Sequence, residues 1–261
     1  MEGLRLADMH CHLDFMSNAA EVAADAAQQG LAIFATTVTP QGYERACGGL
    51  AGHSNVRIGV GLHPWWVADG RCTWADVEQA AALAREARYV GEVGLDFSPK
   101  HVPHGSNESQ VKAFAKVVRA CAEGTAVTGP KLLSIHSVRS AGTVLDVLQE
   151  SGCLETCRCV FHWFSGTSDE LHRAVKAGCW FSINEMMLAT RRGREYARQL
   201  PLDKLLLETD LPPQQDAPFS AEAIISSLER TVEQLEAIKK ADVRSITTQN
   251  ALALLQTAPT R

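Results

Sequence analysis

Eight short apolar runs, each followed by a segment of helical periodicity, constrain this chain more than any other feature. The runs are "RLADMH" (5–10), "LAIFATTV" (31–38), "VRIGVGL" (56–62), "RYVGEVGL" (88–95), "KLLSIH" (131–136), "RCVFHW" (158–163), "GCWFSI" (178–183) and "DKLLLETD" (203–210). Amphipathic stretches at 18–29, 73–87, 107–123, 140–151, 167–177 and 191–200 separate them, and 220–256 reads as two further helices. The Gly-rich stretch 39–52 reads as a short helix or a loop. The runs lack the apolar–polar alternation of a strand with one wet face, which predicts strands buried on both faces in parallel βα units. A length of 261 residues admits one domain or two. Eight units without a linker, repeat or low-complexity tract predict one α/β domain over 1–261, a (β/α)8 TIM barrel with its site at the C-terminal ends of the strands.

The polar residues fall where that fold would use them. His10 and His12 close the first run, His63 follows the third, and Glu92 lies in the fourth. His136 ends the fifth, His162 stands near the end of the sixth, and Glu208 and Asp210 end the eighth. Residues two apart on a strand share a face, so His10 and His12 are expected to grip one ion together, and Glu208 and Asp210 to share a face likewise. Several imidazoles with two or three carboxylates suit Mg²⁺ or a divalent transition metal. Any one of these histidines alone reads best as a hydrogen-bonded strand-end residue; together they read as a metal site.

A formal net charge of −5 and a pI near 6.0 argue against a protein that coats nucleic acid through a basic face. They leave room for a nuclease, because bound divalent ions supply positive charge locally. Eight scattered cysteines form no disulfide framework, and "CLETCRC" (153–159) reads as a helix-to-strand junction rather than a zinc knot. With no basic-then-apolar leader and no apolar run of spanning length, a cytoplasmic protein with reduced thiols and no membrane association is expected.

Six stretches, taken in order, carry a family resemblance: "DMHCHLD" (8–14), "GLHP" (61–64), "VGEVGLDF" (90–97), "IHSVR" (135–139), "FHWFSG" (161–166) and "LLLETDLP" (205–212). The chain resembles the TatD-type metal-dependent deoxyribonucleases of the amidohydrolase superfamily. The resemblance implies two divalent ions (Mg, Mn or Zn), with His10 and His12 on the first and His136 and His162 on the second. It makes Glu92 the bridging carboxylate and Asp210 a ligand that orients or deprotonates the attacking water. His63 would lie near the scissile phosphate, and Glu208 would orient a ligand or a metal-bound water. The implied activity is two-metal hydrolysis of phosphodiester bonds in DNA, or RNA, with family precedent for exonuclease action on single strands from a 3′ end.

Other members of the superfamily place a carboxylated lysine at the end of strand four; Glu92 stands there in this chain and favours the TatD-like branch. Hydrolysis of a small amide, lactone or carbamate is the nearest rival, since one barrel hosts many chemistries. A non-catalytic regulatory subunit that keeps the metal site is a second. Trp65 and Trp66 in "GLHPWW" are candidates for stacking on nucleobases or for rim packing, and Arg139, Arg191 and Arg192 are candidate phosphate contacts. His101 and His104, in the loop "SPKHVPHGSN", read as solvent-exposed, and Asp14 and Asp96 as residues that fix loops or neighbouring hydrogen bonds. Lys131 and Cys11 read as structural. These departures from the housekeeping pattern resemble the TatD-like proteins of antiphage gene clusters, where protein partners in a defence complex would be expected.

Overall fold

A computed structural model describes residues 3–256. Eight strands run in the order β1 (Leu6–Cys11), β2 (Leu31–Thr36), β3 (Val56–Leu62), β4 (Tyr89–Asp96), β5 (Leu132–Val138), β6 (Arg158–His162), β7 (Trp180–Ile183) and β8 (Leu205–Leu207). The helices are α1 (Ala19–Gln28), α2 (Pro40–Gly49), α3 (Pro64–Ala68), α4 (Trp74–Glu86), α5 (Asn107–Thr128) and α6 (Ala141–Glu150). They continue as α7 (Cys153–Thr156), α8 (Ser168–Lys176), α9 (Glu185–Leu188), α10 (Arg191–Gln199), α11 (Ala221–Lys239) and α12 (Val243–Leu255). The strands follow one another in chain order in the sheet, with parallel ladders, which is the strand order of a (β/α)8 fold.

Every residue of β1, β2 and β4 is buried, as their unalternating sequences require. Helix starts follow local chemistry: Thr73 with Asp76 and Thr167 with Glu170 close reciprocal capping boxes at α4 and α8. The stretch 39–52 forms a helix, α2, opened by Pro40. Short helices α3, α7 and α9 have too few turns to show a period in the sequence.

The chain gathers into two compact units. One holds the N-terminal stretch through Ala35, Gly49–Arg57, and the chain from Phe181 onward. In it α12 packs against β1 and β8, turning Val243, Thr247, Ala251 and Leu254 inward. The other holds Thr36–Gly48 and Ile58–Trp180, where α4 packs on α5 and α5 on β4. Two glycines set its strand spacing. A Cβ at Gly61 would lie 1.7 Å from the Thr37 carbonyl oxygen, and one at Gly94 would lie 2.0 Å from that of His136. Only a residue without a side chain lets these backbones approach so closely.

Candidate metal centre

In the first unit, His10 and His12 lie with ring centroids 5.1 Å apart. His12 stands just beyond β1, and its ring stacks on Phe15 at 4.7 Å. Asp210 joins them: its Oδ1 is 3.6 Å from His10 Nε2 and 3.3 Å from His12 Nε2. It arrives by a different route from the one expected. β8 ends at Leu207 and the Glu208 N–H still bonds the Ile183 carbonyl of β7, but residues 209 and 210 have left the strand and parity does not aim them. Instead the Asp210 N–H donates to the His10 carbonyl at 2.9 Å, and the His12 N–H to the Leu211 carbonyl at 2.8 Å. Asp210 holds a left-handed φ of 59°, a conformation that non-glycine residues adopt at a cost and keep at sites that need it.

Two buried carboxylates stand behind this group. Asp8 accepts from the His10 N–H at 3.1 Å and from the backbone and hydroxyl of Thr209, so one side chain ties the two ligand-bearing segments. Burial raises the Asp8 carboxyl to about 7, against the lowering effect of these hydrogen bonds. Glu208, also fully buried, accepts from Ser182 Oγ and from Asn184 Nδ2.

In the second unit, three imidazoles converge on one carboxylate oxygen. Glu92 Oε1 lies 3.2 Å from His63 Nε2, 2.7 Å from His136 Nδ1 and 2.9 Å from His162 Nε2. Ligand atoms of His63, Glu92 and His136 all fall within 4.8 Å of one another, and all three residues are buried. His63 therefore stands among the residues that could hold an ion beside Glu92. Glu92 sits where the ladders break: register shifts between Val60 and Leu62 against β4, and between Val90 and Val93 against β5. A bulge of this kind re-aims a side chain, and here it delivers the carboxylate to three imidazoles.

Asp96, four residues on and fully buried, is the hub of a supporting network. Its Oδ2 accepts from Trp65 Nε1 at 2.6 Å and lies 3.2 Å from His136 Nε2, while Oδ1 accepts from the Ser98 N–H at 2.7 Å. Burial pushes this carboxyl up, yet the hydrogen bonds from His136, Trp65 and Ser98 prevail and hold it at about 2. Burial pulls the His136 imidazole down, but Asp96 and Glu92 outweigh it and raise the ring above its ordinary value. An imidazole pinned by a buried carboxylate on its far nitrogen is the standard way of fixing a metal-ligating histidine.

The donor sets fit divalent cations. Each unit presents buried imidazole nitrogens beside a carboxylate, a combination suited to Zn²⁺, Mn²⁺ or Mg²⁺. Among the proposed substrate contacts, Trp65 is engaged within the site: its N–H meets Asp96 and its ring packs on His63 at 5.0 Å. Trp66 carries the Arg71 guanidinium over its ring at 4.4 Å. Arg139, Arg191 and Arg192 are exposed, and Arg139 has a left-handed φ of 56° directly after β5. The His101 link to this network went unseen in the sequence: its Nδ1 lies 3.2 Å from Asp96 Oδ2, and the available signal was a histidine five residues after the aspartate of "GLDF".

The family model for TatD related DNases matches residues 7–256. The chain is similar to human deoxyribonuclease TATDN3, at 29% identity over 97% of this chain and 95% of that protein. It is similar to a metal-dependent hydrolase, YcfH, of Escherichia coli K12, at 26% identity over 94% of this chain and 93% of that one. Among solved structures, the TatD homologue YJJV of Escherichia coli superposes with a TM-score of 0.77 at 22% identity, covering 96% of this chain and 97% of that one, a likeness of fold.

Proposed function

The chain belongs to the TatD-related DNase family, and from that premise we propose that it is a metal-dependent nuclease that hydrolyses phosphodiester bonds of DNA, with single strands and 3′ ends as its preferred substrates. The observation that carries this reading is the convergence of His63, His136 and His162 on Glu92 Oε1, three imidazoles gathered on one buried carboxylate oxygen. One ion on Glu92, His136 and His162 and a second on His10, His12 and Asp210 would make it a two-metal enzyme. Bound divalent ions in such enzymes lower the pKa of water and neutralise charge on the phosphoryl oxygens.

The protein's own residues do the rest. Asp210, at 22% side-chain exposure the most open of the carboxylates placed with the histidines, is the proton acceptor for the attacking water. Asp96 fixes the tautomer and orientation of His136. His63 has its Nδ1 occupied by the Trp65 N–H, at 3.2 Å, so its Nε2 edge is the one turned to the reaction. Exposed Arg139, Arg191 and Arg192 are available to phosphates along the strand. Eight cysteines outside any disulfide support a reducing, cytoplasmic setting, and the 97–106 loop and the arginines of α10 support a place with the antiphage-cluster members of the family.

The test is cleavage of end-labelled single-stranded DNA with Mn²⁺ or Mg²⁺, with and without EDTA, beside a His12→Ala variant. Metal-dependent shortening from the 3′ end is expected, and the variant should lose at least two orders of magnitude in rate. Failure of the wild-type protein to cut would overturn the nuclease reading; full activity in His12→Ala would overturn the site.

A further inference from the structure

Asp96 gathers more donors than positioning His136 requires. Besides Ser98, Trp65 and His136, its Oδ2 lies 3.2 Å from His101 Nδ1. The participants differ in exposure: the Asp96 side chain is fully buried and that of His136 is 8% exposed, whereas that of His101 is 42% exposed. The network thus runs from the buried ligand cluster out to solvent and ends on one imidazole.

That imidazole is held. Its ring packs on the Trp65 indole with centroids 4.9 Å apart, and its backbone N–H closes a turn onto the Ser98 carbonyl at 2.9 Å. An exposed side chain held in one rotamer has already given up the freedom that binding would otherwise cost. With Nδ1 committed to Asp96, the nitrogen left for any partner is Nε2, across the ring. Fastening the 97–106 loop would explain the Nδ1 contact, but it needs no second nitrogen. The location is close to the chemistry, because Asp96 separates His101 from His136 by a single carboxylate and His136 touches Glu92. The two rings meet the same oxygen, Asp96 Oδ2, at 3.2 Å each, which makes His101 the solvent-side neighbour of His136.

We infer that His101 is a substrate-contacting residue, whose Nε2 hydrogen-bonds the backbone phosphate adjacent to the one being cleaved. The inference rests on the nuclease reading above and assigns it a subsite. Trp65 is the positioning residue of that subsite, its N–H and ring holding Asp96 and His101 in place.

Two isosteric replacements separate contact from fastening. Asparagine places its amide nitrogen where His Nδ1 was and preserves the bond to Asp96; glutamine reaches the position of Nε2 instead. Steady-state kinetics would be measured for His101→Ala, His101→Asn and His101→Gln on a single-stranded oligodeoxynucleotide and on bis(p-nitrophenyl) phosphate, which has no neighbouring phosphate. Loss of a hydrogen bond to a charged group predicts a KM for the oligonucleotide raised roughly 10- to 100-fold in the alanine and asparagine variants. Glutamine should recover part of the loss, and the rise in KM should be at least tenfold smaller on the small diester than on the oligonucleotide. Wild-type KM in His101→Ala, full rescue by His101→Asn, or equal losses on both substrates would overturn the assignment while leaving the nuclease reading standing. A wild-type protein inactive on both substrates would overturn that reading, and this one with it.

Discussion

Asp96 and His136 form a buried carboxylate–imidazole pair, Oδ2 to Nε2 at 3.2 Å, with Glu92 2.7 Å from the opposite ring nitrogen. The ring is thereby held at both nitrogens, and its orientation is set before any ion arrives. Asp96→Asn keeps the shape but removes the charge that fixes the tautomer. We expect the variant to fold and to bind Zn²⁺ or Mn²⁺ about 10- to 100-fold more weakly, with a parallel loss of activity. Metal content after dialysis, set beside the circular dichroism spectrum, checks this. Normal metal content would remove Asp96 from the site.

Lys131 is a buried cation held by backbone and hydroxyl oxygens. Its Nζ donates to the carbonyls of Arg85 and Ala87, at 2.8 and 2.6 Å, and to Thr128 Oγ1 at 2.9 Å. It joins the end of α4, the end of α5 and the start of β5 through one side chain. Lys131→Met leaves three acceptors without that donor and should cost about 3 kcal/mol, a fall in Tm on the order of 10 °C. Calorimetry of the variant decides it, and a loss below about 1 kcal/mol would show that water replaces the ammonium without penalty.

Two glycines of the second unit should respond in opposite senses to alanine. At Gly94, with φ of 147°, the added Cβ would strike the His136 backbone at 2.0 Å. We expect insoluble protein or a loss above about 4 kcal/mol. At Gly48, in α2, a Cβ meets nothing within 4 Å, and Gly48→Ala should stabilise by about 0.5–1 kcal/mol. Urea midpoints of the two variants test both statements.

Glu185 links α9 to α11 through a two-pronged bond with Arg230, at 2.7 Å to each nitrogen, and another to Ser227. Arg230 first, and Ser227 after it, hold this carboxyl below its ordinary value of 4.5 against the opposing effect of burial. A depressed carboxyl stabilises the fold above its unfolded pKa and loses that contribution as pH falls through the folded one. The pair is partly exposed, so the contribution is below about 1 kcal/mol. Thermal melts of Arg230→Met and wild type should differ at pH 7 and converge toward pH 3.

Much of this was legible in the chain. β1 and β4 announce themselves because strands buried on both faces have no polar positions except those kept for function, so His10 and Glu92 stand out. β8 was read too long at both ends. Leu202–Lys204 curls into a 3-10 turn before it, and beyond Glu208, which still bonds the Ile183 carbonyl, residues 209 and 210 turn to hydrogen-bond β1. Apolar composition does not mark either departure. His101 was read as exposed, and it is; its bond to Asp96 depends on how the Ser98 turn folds back, which no local pattern encodes.

The ladder irregularities carry a last consequence. β4 slips register between Val90 and Val93, and β1 between Asp8 and Cys11, so both breaks coincide with residues proposed as metal ligands, Glu92 and His10. Shortening either strand by one residue would restore even pairing to the sheet and turn the side chain at the break to the opposite face. Greater regularity in these strands would therefore act against the proposed metal centre, so the two irregularities and the gathering of His10 and Glu92 with their partners stand or fall together.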